Sequence, residues 1–114
     1  MNKTSESAHS LFQEINNRAN DFGDTEVIVF PPALFIDRLT KTAHPRLGIG
    51  AQDVSAHVDE GAYTGEFNAE MLKSVGGKYA IVGHSERRLY HNETDELISR
   101  KIRACIHAGI IPVY

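Results

Sequence analysis

Apolar residues recur along the chain with two different spacings. Helical spacing, with apolar side chains three or four positions apart, covers four stretches: residues 5–22, 34–39, 68–75 and 94–108. Short, continuously apolar runs lie between them, at residues 26–30, 47–52, 79–83 and 110–114. Short buried strands that alternate with helices are typical of a parallel sheet with helices packed on its faces. The pattern therefore predicts an α/β fold.

Residues that begin and end helices mark the limits of these elements. Ser5 is placed to cap the first helix, and Gly23 is placed to end it. Asn68 caps the short third helix. Thr94 begins the last helix and Gly109 ends it. Because each predicted helix has its own boundary signals, we expect the helices to be separate elements.

The length and the order of the elements bear on domain organisation. A chain of 114 residues is long enough for one domain, and no low-complexity stretch or charge block divides residues 1–114. The first helix has no strand before it, and residues 110–114 begin a strand that has no later partner. Since a parallel sheet needs its neighbouring strands, we expect a segment of a larger fold that is open at both ends.

The charge and cysteine content exclude several classes of function. Twelve Lys and Arg against fifteen Asp and Glu give a net charge of −3, which disfavours binding to nucleic acid or to anionic lipid. The one cysteine, Cys105, cannot form an internal disulfide, and its place on an apolar helix face indicates a core residue. Neither an export signal nor an apolar run of membrane-spanning length is visible. We expect a cytoplasmic protein.

The usual metal and nucleotide motifs are missing from the sequence. Five histidines show no spacing typical of metal ligands: His9, His44, His57, His91 and His107. Gly48-Ile49-Gly50 lacks the third glycine of a dinucleotide-binding loop, and Ser85 lacks the sequence context of a hydrolase nucleophile. We therefore expect neither a metal nor a cofactor.

Two polar segments follow predicted strands and are candidates for function. Residues 53–67 form a long, glycine-punctuated stretch without clear periodicity, which is typical of a functional or contact loop. Residues 82–88 read VGHSERR and follow an apolar strand, where ligands bind in parallel β/α folds. His84 can polarise a carbonyl or move a proton, and a helix turn beginning at Ser85 would favour its neutral imidazole.

A structural interpretation of the same segment is equally open at this point. Glu86, Arg87 and Arg88 are residue types that form surface or interstrand ion pairs. His84 then only caps a helix. The pattern alone does not decide between the two interpretations.

The segment YAIVGHSERR, residues 79–88, closely resembles the hallmark segment of the triosephosphate isomerase family. Further segments resemble that family in order and spacing: residues 50–55 (GAQDVS), 61–66 (GAYTGE), 69–72 (AEML), 93–97 (ETDEL) and 108–109 (AG). The resemblance covers essentially the whole chain. It implies an eight-stranded (β/α)8 TIM barrel, of which this chain is the part from the end of the first strand to the fifth strand.

The resemblance also implies an activity and roles for particular residues. The family interconverts D-glyceraldehyde 3-phosphate and dihydroxyacetone phosphate through an enediol(ate), in glycolysis and gluconeogenesis, without metal or cofactor. His84 then is the electrophile and acts as a neutral imidazole. The family is itself a standard example of an imidazole that the protein keeps neutral for this purpose. Ser85 and Glu86 then lie beside the active site in supporting roles. Thr64 then reaches into the neighbouring subunit of a homodimer and completes its site.

The resemblance leaves part of the catalytic machinery unassigned. The family's phosphate-facing lysine precedes the Met-Asn with which this chain begins, and Lys3 is not its equivalent. The catalytic glutamate and the mobile lid follow the sixth strand, beyond Tyr114. We therefore expect the 114-residue chain to be inactive alone. Two alternatives stay open: an autonomous half-barrel that serves as an interaction module or pseudoenzyme, and a different β/α-barrel enzyme.

Overall fold

The computed structural model describes residues 2–114. These residues form four strands, five α-helices and one 3-10 helix. In chain order they are α1 (Ser5–Asn17), the 3-10 helix (Ala19–Phe22), β1 (Val27–Val29), α2 (Ala33–Thr40), β2 (Leu47–Ala51), α3 (Ala69–Ser74), β3 (Tyr79–Ile81), α4 (Ser85–His91), α5 (Asp95–Ala108) and β4 (Ile111–Val113). The four strands and four of the α-helices lie where the hydrophobic pattern predicts them, whereas α4 lies in the polar segment after β3, where that pattern predicts no helix.

The four strands form one parallel sheet whose spatial order is the chain order, β1-β2-β3-β4. Val27 pairs with Leu47, Gly50 with Tyr79, and Tyr79 also with Ile111. Within residues 2–114, β1 and β4 each pair with a single strand, so they are the edges of the sheet. The predicted α/β fold is therefore confirmed. Because all strands run the same way, the loops after them gather at one edge of the sheet.

The core lies between the sheet and the helices that cover it. Helical residues that are almost completely buried pack against apolar residues of the strands and of the segments beside them: Phe12, Ile36, Leu39, Leu72, Ile98 and Cys105 against Leu47, Ile49, Ala51, Ala80 and Val82. The interpretation of Cys105 as a core residue is confirmed. Burial raises the pKa of its thiol to about 11, so at neutral pH it is an uncharged apolar side chain.

Glycine in β2 allows the strands to approach closely. A Cβ at Gly50 would lie 2.7 Å from the Tyr79 carbonyl oxygen and 2.6 Å from the Phe30 ring. No side chain fits there without displacing backbone of β3. Gly50 therefore fixes the spacing of the strand pair that precedes both candidate functional segments.

The first helix differs from the prediction at both ends. Its N-cap is Thr4, not Ser5: the Thr4 backbone is extended, and its N–H donates to Ser7 Oγ at 2.9 Å. The helix also ends at Asn17, and residues up to Phe22 form the 3-10 helix. At this end of the helix the Asn16 side chain bonds to the segment before β2, donating to the Thr42 carbonyl and accepting from the His44 N–H.

The other helix boundaries agree with the prediction more closely. The Asn68 side chain accepts from the Met71 N–H, and the Thr94 side chain accepts from the Leu97 N–H. Gly109 ends α5 with a positive φ of 77°. Met71 belongs to the apolar pattern of residues 68–75, yet it is 46% exposed. None of the helices formed by residues 2–114 is long and apolar enough to cross a membrane.

Candidate functional site

The loops that follow β1, β2 and β3 meet at the carboxyl edge of the sheet. The loops after β1 and β2, together with α4, Glu93 and α5, line an open cavity of about 550 Å³, whereas residues 82–84, which follow β3 and include His84, do not line it. Side chains from each element line it, among them Gln52, Ser55, His57, Arg87 and Lys101. The two polar segments singled out in the sequence, residues 53–67 and 82–88, therefore lie side by side.

His84 is the residue that begins α4, directly beyond the end of β3. Its Nδ1 accepts a hydrogen bond from the Glu86 N–H at 3.2 Å, and its carbonyl accepts from the Arg87 N–H at 2.9 Å. A ring nitrogen that accepts a hydrogen bond carries no proton, so this contact leaves Nε2 as the ring nitrogen that can donate. The His84 side chain is 47% exposed, which leaves the imidazole accessible.

The arrangement of His84 and the residues that follow it is compatible with both interpretations of residues 82–88. His84 is a helix cap, and the arginines that follow it do form ion pairs, as the structural interpretation predicts. The same cap engages Nδ1 and leaves Nε2 as the donor, which is the arrangement that the functional interpretation needs. The structural and functional interpretations of His84 are therefore compatible.

Ser85 and Glu86 lie in the first turn of α4 and are both exposed. The Glu86 carboxylate is 3.9 Å from His84 Nδ1, beyond hydrogen-bond distance, and its side chain is 74% exposed. Glu86 contributes to the site through its backbone N–H, and its carboxylate lies close to the ring without bonding to it.

Four charged residues connect the two polar segments beneath His84. Arg87 donates from Nε to Glu93 Oε1 at 2.6 Å, and its Nη2 lies 2.9 Å from Asp53 Oδ2. Lys101 Nζ lies 2.5 Å from Glu93 Oε1 and 2.6 Å from Asp53 Oδ1. Two cations and two carboxylates thus form a closed ring of ion pairs, here named the charge ring.

Burial makes the charge ring different from a surface ion pair. The side chains of Glu93 and Lys101 are 1% and 5% exposed. Burial by itself favours the neutral form of Glu93, but the hydrogen bonds from Lys101 and Arg87 outweigh it and hold the pKa of that carboxyl below its ordinary value. Glu93 is therefore a buried carboxylate that stays ionised at neutral pH.

The sequence pattern does not predict the charge ring. The sequence pattern indicates an ion pair for Arg87 without specifying its partner, and it does not bring Glu93, Lys101 and Asp53 together. One signal was present: Lys101 lies three residues after Ile98 and four before Cys105, on the apolar face of α5. A lysine on a core-facing helix position requires a buried partner.

The loop of residues 53–67 contains neither helix nor strand, as predicted, and is held by its own contacts. The Ser55 N–H donates to the Phe67 carbonyl at 2.9 Å, and the Ser55 hydroxyl bonds to the Glu66 carboxylate. The His57 and Tyr63 rings stack with centroids 3.6 Å apart. Thr64 is exposed at the tip, and neither Thr64 nor His84 lines the cavity.

Comparison with known proteins identifies relatives of the whole chain. The family model described as triosephosphate isomerase matches residues 1–114. The triosephosphate isomerase of Psychromonas ingrahamii is 43% identical over 114 residues, which are 99% of this chain and 45% of that protein. The triosephosphate isomerase of Xanthomonas euvesicatoria is 53% identical over 90 residues, 77% of this chain and 35% of that protein.

The matches therefore cover nearly all of this chain but only part of each relative. The triosephosphate isomerase of Stenotrophomonas maltophilia gives the same proportions, with 48% identity over 89 residues, 77% of this chain and 35% of that protein. The chain spans less than half the length of the curated relatives it matches. Because the family model matches from the first residue to the last, the chain belongs to the triosephosphate isomerase family.

Proposed function

We propose that this chain carries the electrophilic part of a triosephosphate isomerase active site. The reaction interconverts D-glyceraldehyde 3-phosphate and dihydroxyacetone phosphate in glycolysis and gluconeogenesis. The observation that supports it most directly is the geometry of His84, which caps α4 at the carboxyl edge of the sheet and accepts the Glu86 N–H through Nδ1. Small phosphorylated trioses are the substrates, and the cytoplasm is the place of action.

The proposed chemistry follows from the neutral ring. With its proton on Nε2, the imidazole donates a hydrogen bond to the substrate carbonyl oxygen and stabilises the negative charge that develops there in the enediolate. Because a neutral imidazole is a weak acid, it donates this hydrogen bond without transferring its proton to the substrate in the ground state. The Glu86 N–H keeps Nδ1 occupied, so the ring presents its donor and not its acceptor.

Supporting roles are proposed for three further residues. Ser85 and Glu86 flank the imidazole in the first turn of α4, where their polar groups surround the reacting end of the substrate. Thr64, exposed at the tip of the loop, completes the site of a second subunit in a homodimer.

The general base and the phosphate-facing lysine are proposed to come from parts of the whole protein outside residues 1–114. A general base commonly contributes ~10²–10⁴-fold to the rate. We therefore propose that the 114-residue chain alone does not turn substrate over. Isomerase assay of the isolated chain tests this directly, since turnover at the rate of an intact relative would contradict it.

A chimera tests whether this chain supplies a working electrophile. The 114 residues replace the aligned segment of the Psychromonas ingrahamii triosephosphate isomerase, which matches 99% of the chain. We expect the chimera to isomerise dihydroxyacetone phosphate, and His84→Gln to lower kcat by ~10²–10³, the usual cost of one lost donor to an oxyanion. His107→Gln, the same change at an exposed position, is the matched control and is expected to have no effect.

The possible results separate the proposal from its alternatives. Full activity of the His84→Gln chimera would show that this residue is not the electrophile and would refute its proposed role. A chimera that folds but is inactive with His84 in place would favour the half-barrel interaction module. A large loss confined to His84→Gln supports the proposed function.

A further inference from the structure

The helix that carries His84 is not held in place by apolar packing. Every residue of α4 is at least partly exposed, and its large apolar side chains, Leu89 and Tyr90, are 69% and 72% exposed. A helix of seven residues is far below the length at which helices are stable by themselves in water. The position of α4 therefore depends on polar contacts with neighbouring elements.

Arg87 makes the most buried of these contacts. Its Nε lies 2.6 Å from Glu93 Oε1, and its Nη2 lies 2.9 Å from Asp53 Oδ2. One planar guanidinium thus reaches a carboxylate beside α5 and another in the loop after β2. A lysine ammonium is a point charge without this fixed fork, so it does not reproduce both contacts in the same geometry.

Arg88 supplies a second but weaker contact. It pairs with Asp95 at 2.7 Å, yet the Asp95 side chain is 83% exposed, so water and salt screen the pair. Its other bonds reach the Gly83 carbonyl and the Tyr114 hydroxyl at 3.3 and 3.0 Å. The buried partner of Arg87 makes it the stronger tether of the two.

Because of the charge ring, a substitution of Arg87 is expected to loosen α4 without destabilising the core. Lys101, on α5, contacts both carboxylates that Arg87 contacts. If the Arg87 side chain is removed, Glu93 and Asp53 each keep a cation, whereas α4 loses its side-chain contacts with both and keeps only the backbone bond from the Glu93 N–H to the Arg87 carbonyl, at 3.4 Å. Loss of Arg87 is therefore expected to release α4 while α5 and the sheet stay folded.

Two hydrogen bonds from the backbone of the first turn of α4 connect Arg87 and Glu86 to His84. The Arg87 N–H donates to the His84 carbonyl at 2.9 Å, and the Glu86 N–H between them donates to His84 Nδ1. We infer that Arg87 is a positioning residue, which fixes the His84 imidazole by tethering α4 to Glu93 and Asp53. The inference rests on the proposed role of His84 as electrophile, but its geometry is measurable without catalysis.

Nuclear magnetic resonance of the 114-residue chain with 15N-labelled histidine tests the inference. In Arg87→Gln, we expect the Nδ1 signal of His84 to move toward that of a freely exchanging histidine. Amide exchange at Glu86 is expected to accelerate by about tenfold or more, the size that loss of a charge-assisted hydrogen bond predicts. The Leu97 amide in the first turn of α5 serves as the internal reference and is expected to change by less than about twofold.

Two further variants control for charge and for folding. Arg100→Gln removes an exposed arginine of α5 and is expected to leave His84 and Glu86 unchanged. Arg87→Lys keeps the positive charge without the fork and is expected to give an intermediate exchange rate at Glu86. In the chimera, Arg87→Gln is expected to lower kcat more than it alters KM, because it disorders a group that acts in the transition state.

Several results would overturn the inference. An unchanged Nδ1 signal with unchanged Glu86 exchange in Arg87→Gln would show that α4 is held without this tether. Equal acceleration at Glu86 and Leu97 would show that Arg87 only stabilises the fold. If neither Arg87→Gln nor Arg87→Lys folds, Arg87 is part of the core and the inference is wrong. An inactive chimera would count against the proposed function alone.

Discussion

Replacement of Lys101 by methionine removes one of the two cations that Glu93 and Asp53 share. The Lys101 Nζ lies 2.5 Å from Glu93 Oε1 and 2.6 Å from Asp53 Oδ1, and its side chain is 5% exposed. Methionine keeps an unbranched apolar stem along α5, so the packing of the helix changes little. The substitution therefore isolates the loss of a buried charge.

The expected loss of stability follows from the state of the two carboxylates. Removing one partner of a buried ion pair typically costs ~3–5 kcal/mol, because a charge is left uncompensated. Arg87 still contacts both carboxylates, and the Asp53 side chain is 22% exposed, so we expect the lower end, ~3 kcal/mol. For a chain of this size, that corresponds to a melting temperature lower by ~12 °C.

The loss is also expected to depend on pH. The cations hold the pKa of Glu93 below its ordinary value, so the stabilisation is fully present above that ordinary value of ~4.3 and is lost as pH falls through the lower folded pKa. In Lys101→Met the carboxylate has one cation fewer, and protonation relieves the unpaired charge. The difference in stability between the two proteins should therefore be largest near pH 7 and should narrow below about pH 4.

Urea unfolding followed by circular dichroism, at a series of pH values, measures this difference. Lys78→Met removes an exposed lysine and is the matched control, for which we expect a change within ~0.5 kcal/mol. Adding Glu93→Gln to Lys101→Met removes the unpaired charge and is expected to restore ~1–2 kcal/mol. A loss below ~1 kcal/mol, or one that is the same at every pH, would refute the assignment of Glu93 as a buried, ionised carboxylate.

Three other substitutions or modifications test features of the fold. Gly50→Ala is expected to destabilise by ~1–3 kcal/mol in urea unfolding, because its Cβ would lie 2.7 Å from the Tyr79 carbonyl oxygen; a neutral effect would contradict that close approach. Asn16→Ala is expected to lose ~1–2 kcal/mol of unfolding free energy with its two tertiary hydrogen bonds, whereas exposed Asn17→Ala is not. Cys105 should react with iodoacetamide at pH 8 far more slowly in the native chain than in urea, since burial raises its pKa to about 11; equal rates would show that the thiol is accessible.

Much of the fold was predictable because its determinants are local. The Asn68 and Thr94 caps and the Gly109 terminator act within a few residues of their own positions, and the structure contains them as predicted. The tertiary contacts at the end of α1 were not predictable in this way. Asn16 bonds to the Thr42 carbonyl and the His44 N–H, which are close only after the chain has folded.

The same contrast between local and long-range determinants applies to the candidate site. The position of His84 followed from one contiguous segment after an apolar strand, and the structure places it at the carboxyl edge of the sheet. The charge ring draws Asp53 and Arg87 from different loops and helices, so no spacing in the sequence reports it. Lys101 at a core-facing position indicates that a buried partner exists, but only the tertiary structure shows which residue it is.

The order of the sheet bears on how the protein is made. Val27 pairs with Leu47, Gly50 with Tyr79, and Tyr79 with Ile111, so each strand meets a partner made roughly thirty residues earlier or less. A strand that emerges from the ribosome finds its neighbour already synthesised, and synthesis of the intervening stretch takes only a few seconds at ~5–20 residues per second. The sheet is therefore suited to growth one strand at a time during translation, in the direction in which the chain is made.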